Sequence, residues 1–515
     1  MLELENLTVY EAFARSVEYF PDNKALTYLE NSFTYKDLDA KVNEFAGKFL
    51  NLGVKKGVHV GLWCGNEPNF VITVLALSKI GAVAILFNTS LHKKELFKLV
   101  EATDVEFLVI GDGYKDADFR DEADKLIDSI YRLRNVIYIG LSGDPRNYTD
   151  MKTVAVVPDE QIEEVRKSID PKANGYILFT SGTTSLPKAV VGSHYARANM
   201  GLAQGNDIKT TENDKFCLAM PLFHCFCFAV NLMSALFYGA CLCIPKSMHV
   251  NDILDTVTEE HCTILSAVPS LYHTIISKYD VSQYDISTLR AGYIGGSSYS
   301  ASLFEEIEDT LHMTLLSSLG QTEATAGITT ARLTDSLFTR STTVGHFLDH
   351  VEYKILSTGE ICIRGYNVMS GYYKDYENTS RVIDEDGWLH TGDTGFLVGS
   401  DNLVLTGRIK EFIIRGGENI SPLEIESVLY DDKRIIESKA VGIYDSHYGE
   451  EVALCVIRDP MSLITEKEIR DILRDNIADY KVPKYILFME NFPKSSSGKV
   501  LTKDLKRQAT LLLGL

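Results

Sequence analysis

Positive charge is the scarce commodity in this sequence: 51 Lys and Arg stand against 71 Asp and Glu, a formal net charge of −20 over 515 residues. A general nucleic-acid binder needs a basic face, so that class is excluded. Single nucleotides are not excluded, because a few local cations suffice to bind a phosphate. The opening stretch MLELENLTVYEAFARSVEYF carries acids where a signal peptide would have a basic n-region and an apolar h-region, so a cytoplasmic chain is expected. Long hydrophobic runs are also scarce. Residues 225–244, CFCFAVNLMSALFYGACLCI, are uncharged and about the length of a membrane span. Asn231 and Ser234 interrupt them, however, and Gly239 reads as the end of a buried helix followed by a strand, so no integral membrane segment is expected. The nine cysteines, an odd number scattered in apolar runs, fit free buried thiols in a reducing compartment. Cys225-x-Cys227 and Cys241-x-Cys243 lack the usual spacing of a zinc site.

What is present is an alternation. The length allows roughly three domains or subdomains. NLTVYEAFARSVEYF is a helix capped by Asn6 or Thr8, and KALTYLENSFTYKDL is a hairpin running into a helix. VHVGLWCGN, VITVLALSKIGAVAILFN and VEFLVIGDG continue a strand–helix–strand rhythm, which predicts layered α/β with largely parallel sheets. From about residue 340 short strands and turns take over. Beyond GRIKEF (407–412) a βαβ-like segment, ESKAVGIYDSHYGEEVALCVIRDP, and a helix over 465–477 read as a separate α+β unit. The fold class expected is therefore α/β. A large N-terminal domain of layered α/β subdomains plus a β-rich subdomain (1–409) precedes a small, mobile α+β C-terminal domain (410–515).

Polar residues gather at particular points. FTSGTTSLPKAV (179–190) follows a buried strand, YILF, with Thr180, Ser181, Gly182, Thr183, Thr184 and Ser185 ahead of Lys188. Backbone N–H groups and hydroxyls in such a turn can surround phosphate oxygens, although a solvated linker has the same composition. It is not a Walker A loop, because Pro187 stands where that motif needs glycine. PLFHCFC presents His224, SSLGQTEAT presents Glu323 at the end of a strand, and HTGDTG sets Asp393 in a turn. GRIKEFIIRGGENISPLEIE carries Arg408, Lys410, Gly416 and Gly417, with a helix start at Ser421-Pro422, and FPKSSSGKVLT displays Lys499. Taken singly each has an ordinary structural reading: a core histidine, a capping Thr, an Asx-turn.

In this order and spacing the motifs resemble those of the class I adenylate-forming superfamily, in its acyl-CoA synthetase branch of AMP-forming acid–thiol ligases. TSGTTSLPK is similar to its phosphate loop, PLFH to its aromatic/His motif and Gly320–Gln321–Thr322–Glu323 to G-x-T-E. TGD matches at 391–393, G-R-x-K at 407–410 and PK-x3-GK at 493–499, the likeness running from about residue 8 to 505. Three positions depart: Ser185 and Ala189 stand where relatives have glycine, and Leu319 replaces an aromatic residue that stacks on adenine.

The resemblance implies ATP-dependent activation of a carboxylic acid to acyl-AMP, followed by transfer to coenzyme A or to an acyl carrier protein. It implies that Thr180 to Thr184 and Lys188 hold the β- and γ-phosphates, that Mg2+ is bound by Glu323 and Thr180, and that Thr322 contacts the α-phosphate. His224 belongs to the catalytic set. Asp393 and Arg408 would hold the ribose, Gly295, Gly296 and Ser297 would line the adenine and acyl pockets, and Lys499 would bridge carboxylate and nucleotide. Lys410 would be the pivot that swings Lys499 away and brings Gly416-Gly417 beside a pantetheine tunnel. In the family this chain resembles, amino-acid-activating members carry an aspartate soon after the aromatic motif. Here no acid follows PLFH until Asp252, so the resemblance implies a fatty or aromatic acid without an α-amino group. Loading of a carrier protein, a luciferase-type oxygenase and a non-catalytic nucleotide- or acyl-binding relative stay open.

Overall fold

The computed structural model describes residues 2–114, 117–127, 129–180, 187–399, 401–495 and 498–515. Its two largest sheets are mainly parallel; the nine-stranded one has antiparallel strands at both margins, the eight-stranded one only at its Gly371–Tyr372 margin. One has nine strands and runs from His346–Phe347 through Thr314–Leu319, Ala291–Ile294 and Cys241–Ile244 to Asn31–Thr34. The other has eight and runs from Gly371–Tyr372 through Lys188–Ser193, Asn174–Thr180 and His59–Trp63 to Thr149–Asp150. Helices fill the space between them. A single buried cluster takes Leu26, Phe216 and Leu242 from the first sheet, Val60, Leu62 and Ala84 from the second, and Phe13, Phe45, Leu75 and Leu202 from intervening helices. Strands covered on both faces need unbroken apolar runs, which is why VAIL and FLVI carry no alternation.

The local signals act as expected at several points. Thr8 caps helix Val9–Tyr19 in a reciprocal capping box with Glu11. The uncharged stretch begins with a π-turn, Cys227–Leu232, continues as helix Met233–Tyr238 and stops at Gly239 in the left-handed region, before strand Cys241–Ile244. No helix among the described residues is long and apolar enough to cross a membrane. All nine cysteines are unpaired and buried.

A four-stranded antiparallel sheet follows, in the order Val351–Ile355, Glu360–Gly365, Leu389–Val398, Asn402–Arg408. It leads into a small α+β unit. Residues 437–460, expected to be βαβ-like, are instead an antiparallel hairpin of Ile435–Asp445 and Gly449–Arg458; the crossover comes one element later, where helix Glu466–Asn476 carries the chain to Tyr485–Phe488, which pairs parallel with Gly449–Arg458. Inside this unit the buried Glu426 accepts from Lys439 Nζ at 2.6 Å and from the Ala440 N–H at 3.0 Å.

Gly239 supports a test. Its φ is +75°, and a Cβ there would lie 2.3 Å from Phe20 Cδ2. Gly57 has φ +79° with open space around it. Gly239→Ala is expected to destabilise the protein by about 2–4 kcal/mol and Gly57→Ala by about 1 kcal/mol, measured by thermal unfolding.

Candidate active site

The hydroxyl-rich loop is clamped at both ends. Strands Asn174–Thr180 and Lys188–Ser193 pair antiparallel with Thr180 opposite Lys188, so the chain leaves and re-enters the sheet at one point. Ser181, Gly182, Thr183, Thr184 and Ser185 lie outside the described residues. Ala189 is a ladder residue opposite Phe179, and its carbonyl accepts the Tyr373 N–H at 2.8 Å. Extended backbone of this kind makes no demand for glycine. Lys188 Nζ lies 4.5 Å from the ring centre of Tyr372, and burial, then the charge of Lys410, hold its pKa below the usual lysine value.

The same Tyr372 hydroxyl donates to Glu323 Oε1 at 2.8 Å. Glu323 stands in a 3-10 turn, Thr322–Ala324, just beyond strand Thr314–Leu319. A sharp reversal follows: a Cβ on Gly320 would fall 1.7 Å from Ala326 O, and Thr325 and Ala326 both take left-handed φ, +51° and +76°. Thr325 is held there by donating to Asn367 O at 2.7 Å, and the Gln321 carbonyl accepts the N–H groups of Ala324 and Ala326. Non-glycine residues held in this region gather at functional turns. Leu319 is buried at the strand's end. Gly295, Gly296 and Ser297 follow the neighbouring strand Ala291–Ile294; a Cβ on Gly295 would lie 2.8 Å from Ser318 O, and Gly296 has φ +90°.

Thr322 Oγ1 donates to Cys225 Sγ at 3.5 Å, and Cys225 Sγ is 3.9 Å from His224 Nδ1. Nδ1 also accepts the Phe226 N–H at 3.4 Å, which leaves the proton of the neutral ring on Nε2 as an outward donor. Burial works against charge on both groups, but their attraction outweighs it, raising the imidazole pKa and lowering the thiol's. Beneath them lies Arg197, a residue that motif reading did not single out. It is fully buried in the corner of an edge-to-face ring pair, 4.1 Å from the Tyr176 centroid and 4.4 Å from that of Phe228, and donates to Cys225 O at 3.5 Å. Cation–π contacts of this sort replace an anionic partner in a dry setting.

Asp393 is not in a turn. It lies in strand Leu389–Val398 directly opposite Arg408, whose Nε donates to Asp393 Oδ1 at 2.6 Å; Gly392, at φ +72°, supplies the turn-like signal beside it. Burial raises the Asp393 pKa, while Arg408 and then Lys499 pull against that rise. Lys499 arrives from the C-terminal unit on a turn closed by the Lys494–Val500 bridge and by Gly498 N–H donating to Ser495 O. A Cβ on Gly498 would lie 3.0 Å from Ser270 Oγ, so this turn rests on the large domain at the start of helix Pro269–Lys278. The Lys499 amine is solvent-accessible but walled by protein, and burial followed by Arg408 lowers its pKa against the attraction of Glu411 and Asp393. Its charge also reaches His224.

The structure thus brings together Lys499, Asp393, Arg408 and His224, and joins Lys188 and Glu323 through Tyr372, with the charge of Lys410 reaching Lys188. It does not bring Gly416 and Gly417 to that group. They form a turn at φ +59° and +92° inside the small unit, where Gly416 N–H donates to Tyr448 O at 2.8 Å. Tyr372 and Glu411 were also missed by motif reading: Glu411 stands inside GRIKEF, beside Lys410, without being singled out, and Tyr372 is revealed only by the three-dimensional arrangement.

Comparison with known proteins bears on this arrangement. The family model described as AMP-binding enzyme matches residues 13–373, and that of the AMP-binding enzyme C-terminal domain matches 424–499. A putative acyl-CoA synthetase of Bacillus subtilis (strain 168), YngI, is 31% identical over 100% of this chain and 99% of its own. A CoA ligase of Rhodococcus jostii, named for a propanoyl group bearing a methylated dioxo-octahydroindene, is 30% identical over 97% of this chain and 98% of its own. Among solved structures, the anthranilate CoA ligase AuaEII in complex with anthranoyl-AMP shares the fold with a TM-score of 0.87 at 22% identity, over 100% of this chain and 99% of that one. With family models over both parts and a relative 31% identical along its whole length, this chain belongs to the AMP-binding enzyme family, among the acyl-CoA synthetases.

Proposed function

We propose that the protein joins a carboxylic acid to CoA through an acyl-AMP, with Lys499 as the group that makes the first step possible. The observation that carries this reading is the position of Lys499, inserted from the C-terminal unit into the field of Asp393, Arg408 and His224. A carboxylate is a poor acyl donor because its leaving group would be oxide. Its oxygen attacks the α-phosphorus of ATP, the bond to the β-phosphate oxygen breaks, and pyrophosphate leaves. The CoA sulfur then attacks the acyl carbon, and AMP departs as a stable anion.

Two anions meet in the first step, so fixed positive charge and aimed donors supply most of the catalysis. Lys499 draws carboxylate and α-phosphate together. His224 Nε2–H and Thr322 stabilise the charge that builds at phosphorus, with Arg197 bracing the His224–Cys225 backbone. Asp393 accepts from the ribose diol and is held by Arg408. Thr180 to Thr184 and Lys188 cradle the terminal phosphates, and Gly295, Gly296 and Ser297 border the adenine and acyl pockets. Mg2+ fits the donors present: Tyr372 occupies only Oε1 of Glu323, and one carboxylate, the Thr180 hydroxyl and phosphate oxygens are the kind of set Mg2+ takes. When bound, it neutralises charge on the triphosphate.

We divide the chain at 409/410 and assign Lys410 as the hinge; rotation there would withdraw Lys499 and bring Gly416 and Gly417 to the thiol's approach. The acid is assigned as fatty or aromatic without an α-amino group, on the lack of an acid after His224 before Asp252. A reducing, cytoplasmic setting agrees with nine unpaired thiols.

Two outcomes test this reading. With a panel of fatty, aromatic and amino acids, ATP and Mg2+, pyrophosphate release should follow one non-amino class and yield its CoA thioester. Lys499→Ala should lower that adenylation rate about 10²–10³-fold while leaving CoA attack on supplied acyl-AMP within about twofold; adenylation that free CoA cannot discharge would point to a carrier-protein acceptor. The pH profile supplies the second. The first step needs protonated Lys499, whose pKa lies below the ordinary 10.5, so the basic limb of kcat/KM for adenylation should fall below that value and vanish from the residual rate of Lys499→Ala. A group with a depressed folded-state lysine pKa loses its proton more readily in the folded chain, so rising pH through this window favours folding at that group. The rate should therefore fall while Tm holds.

A further inference from the structure

The four-stranded sheet that carries Asp393 also holds a second group of chemically capable side chains. Glu360 and Cys362 lie two residues apart on strand Glu360–Gly365 and so project from the same face. His390, on strand Leu389–Val398, is the direct cross-strand partner of Cys362. His390 Nδ1 is 3.1 Å from Glu360 Oε2 and 3.5 Å from Cys362 Sγ, and the potential ligand atoms of these residues all lie within 4.8 Å of one another. On the other side of the ring, Nε2 faces Asp384 Oδ2 at 3.6 Å.

These contacts compete. A ring nitrogen carries either one proton or one lone pair, yet Nδ1 faces two partners. If it donates to Glu360 it cannot accept from the Cys362 thiol, and the reverse tautomer leaves the carboxylate unmet. A cation at the common centre satisfies all three at once. Zinc bonds of about 2.3 Å to sulfur and about 2.0–2.1 Å to nitrogen and oxygen, at tetrahedral angles, place S and N about 3.6 Å apart and N and O about 3.3 Å apart. The observed separations, 3.5 and 3.1 Å, are close to that arrangement before any ion has drawn the ligands in. Asp384, 3.6 Å from Nε2 on the far side of the ring, is beyond hydrogen-bond distance but close enough to favour a proton on that nitrogen electrostatically.

We infer that Glu360, Cys362 and His390 form a binding site for a borderline-soft divalent cation, Zn2+ by the chemistry of its ligands, with Asp384 orienting the histidine. Thiolate, imidazole and carboxylate together select zinc over magnesium. Cys362 is buried while Glu360 and His390 are half-buried, so the fourth position faces solvent. Uptake forms a Zn–S bond and releases the thiol proton to water. The site would tie strand Glu360–Gly365 to the strand that carries Asp393 three residues beyond His390, and it is separate from the Mg2+ position at Glu323.

The full-length protein, freed of metal by dialysis against a chelator, is titrated with Co2+ as the probe. The expected result is a sulfur-to-cobalt charge-transfer band in the near ultraviolet with visible bands of four-coordinate Co2+, saturating at one equivalent and abolished by Zn2+. Cys362→Ser should remove the near-ultraviolet band and weaken binding at least tenfold, with Tm in chelator showing that the variant is folded. No such band at tens of micromolar Co2+, or a band undiminished in Cys362→Ser, overturns the site. Should that variant not fold, zinc-edge X-ray absorption of the unaltered protein decides: one sulfur at about 2.3 Å among lighter ligands supports the site, and none or several overturns it.

Discussion

Arg408 ends its strand opposite Asp393, and the 2.6 Å bond from its Nε fixes a buried carboxylate that would otherwise be costly to keep charged. The rest of the candidate site is arranged around that pair. The turn bearing Lys499 comes to the same place from the far end of the chain, and the three groups set one another's proton affinity: burial raises Asp393, Arg408 and Lys499 restrain the rise, and Arg408 in turn helps to lower Lys499. A chain with a formal charge of −20 thus builds local concentrations of cations, Arg408 with Lys499 and Lys188 with Lys410.

The scaffold explains how such a site stays in register. Thr180 and Lys188 face each other across one strand pair, which fixes the points where the hydroxyl-rich segment leaves and rejoins the sheet. Tyr372, at the margin of the same sheet, reaches both sides of the cleft, with its ring under Lys188 and its hydroxyl on Glu323. Glu323 is offered by a turn whose backbone no ordinary sequence would choose, held by Gly320 and by the Thr325–Asn367 bond. Rigid strand ends support Lys188 and Glu323, while Lys499 comes from a separate unit that meets the large domain at Ser270 and through Ser302 Oγ donating to Asp431 Oδ1 at 2.5 Å.

Motifs were legible where they impose a local backbone demand. The capped first helix, the αL stop at Gly239 and the Ser421-Pro422 helix start all follow from one or two residues of known conformational preference. What was not legible depends on register between distant segments. Asp393 read as a turn residue because Gly392 beside it has a turn conformation, yet pairing with Arg408 makes it a strand residue. The hairpin over 435–458 read as βαβ because both strands are apolar, and direction is not written in composition. Arg197 sits in an ordinary helical pattern, and only packing against Tyr176 and Phe228 shows that its charge is buried. The Glu360–Cys362–His390 cluster was invisible for the same reason, its members being joined by cross-strand pairing.

The central claim is that the acid's own oxygen attacks the α-phosphorus. It is tested most directly with an acid substrate carrying 18O in both carboxylate oxygens, the AMP released in the presence of CoA being analysed by mass spectrometry. One 18O atom in each AMP is the result this account requires. AMP free of label, or label appearing in inorganic phosphate with ADP as the nucleotide product, would contradict it.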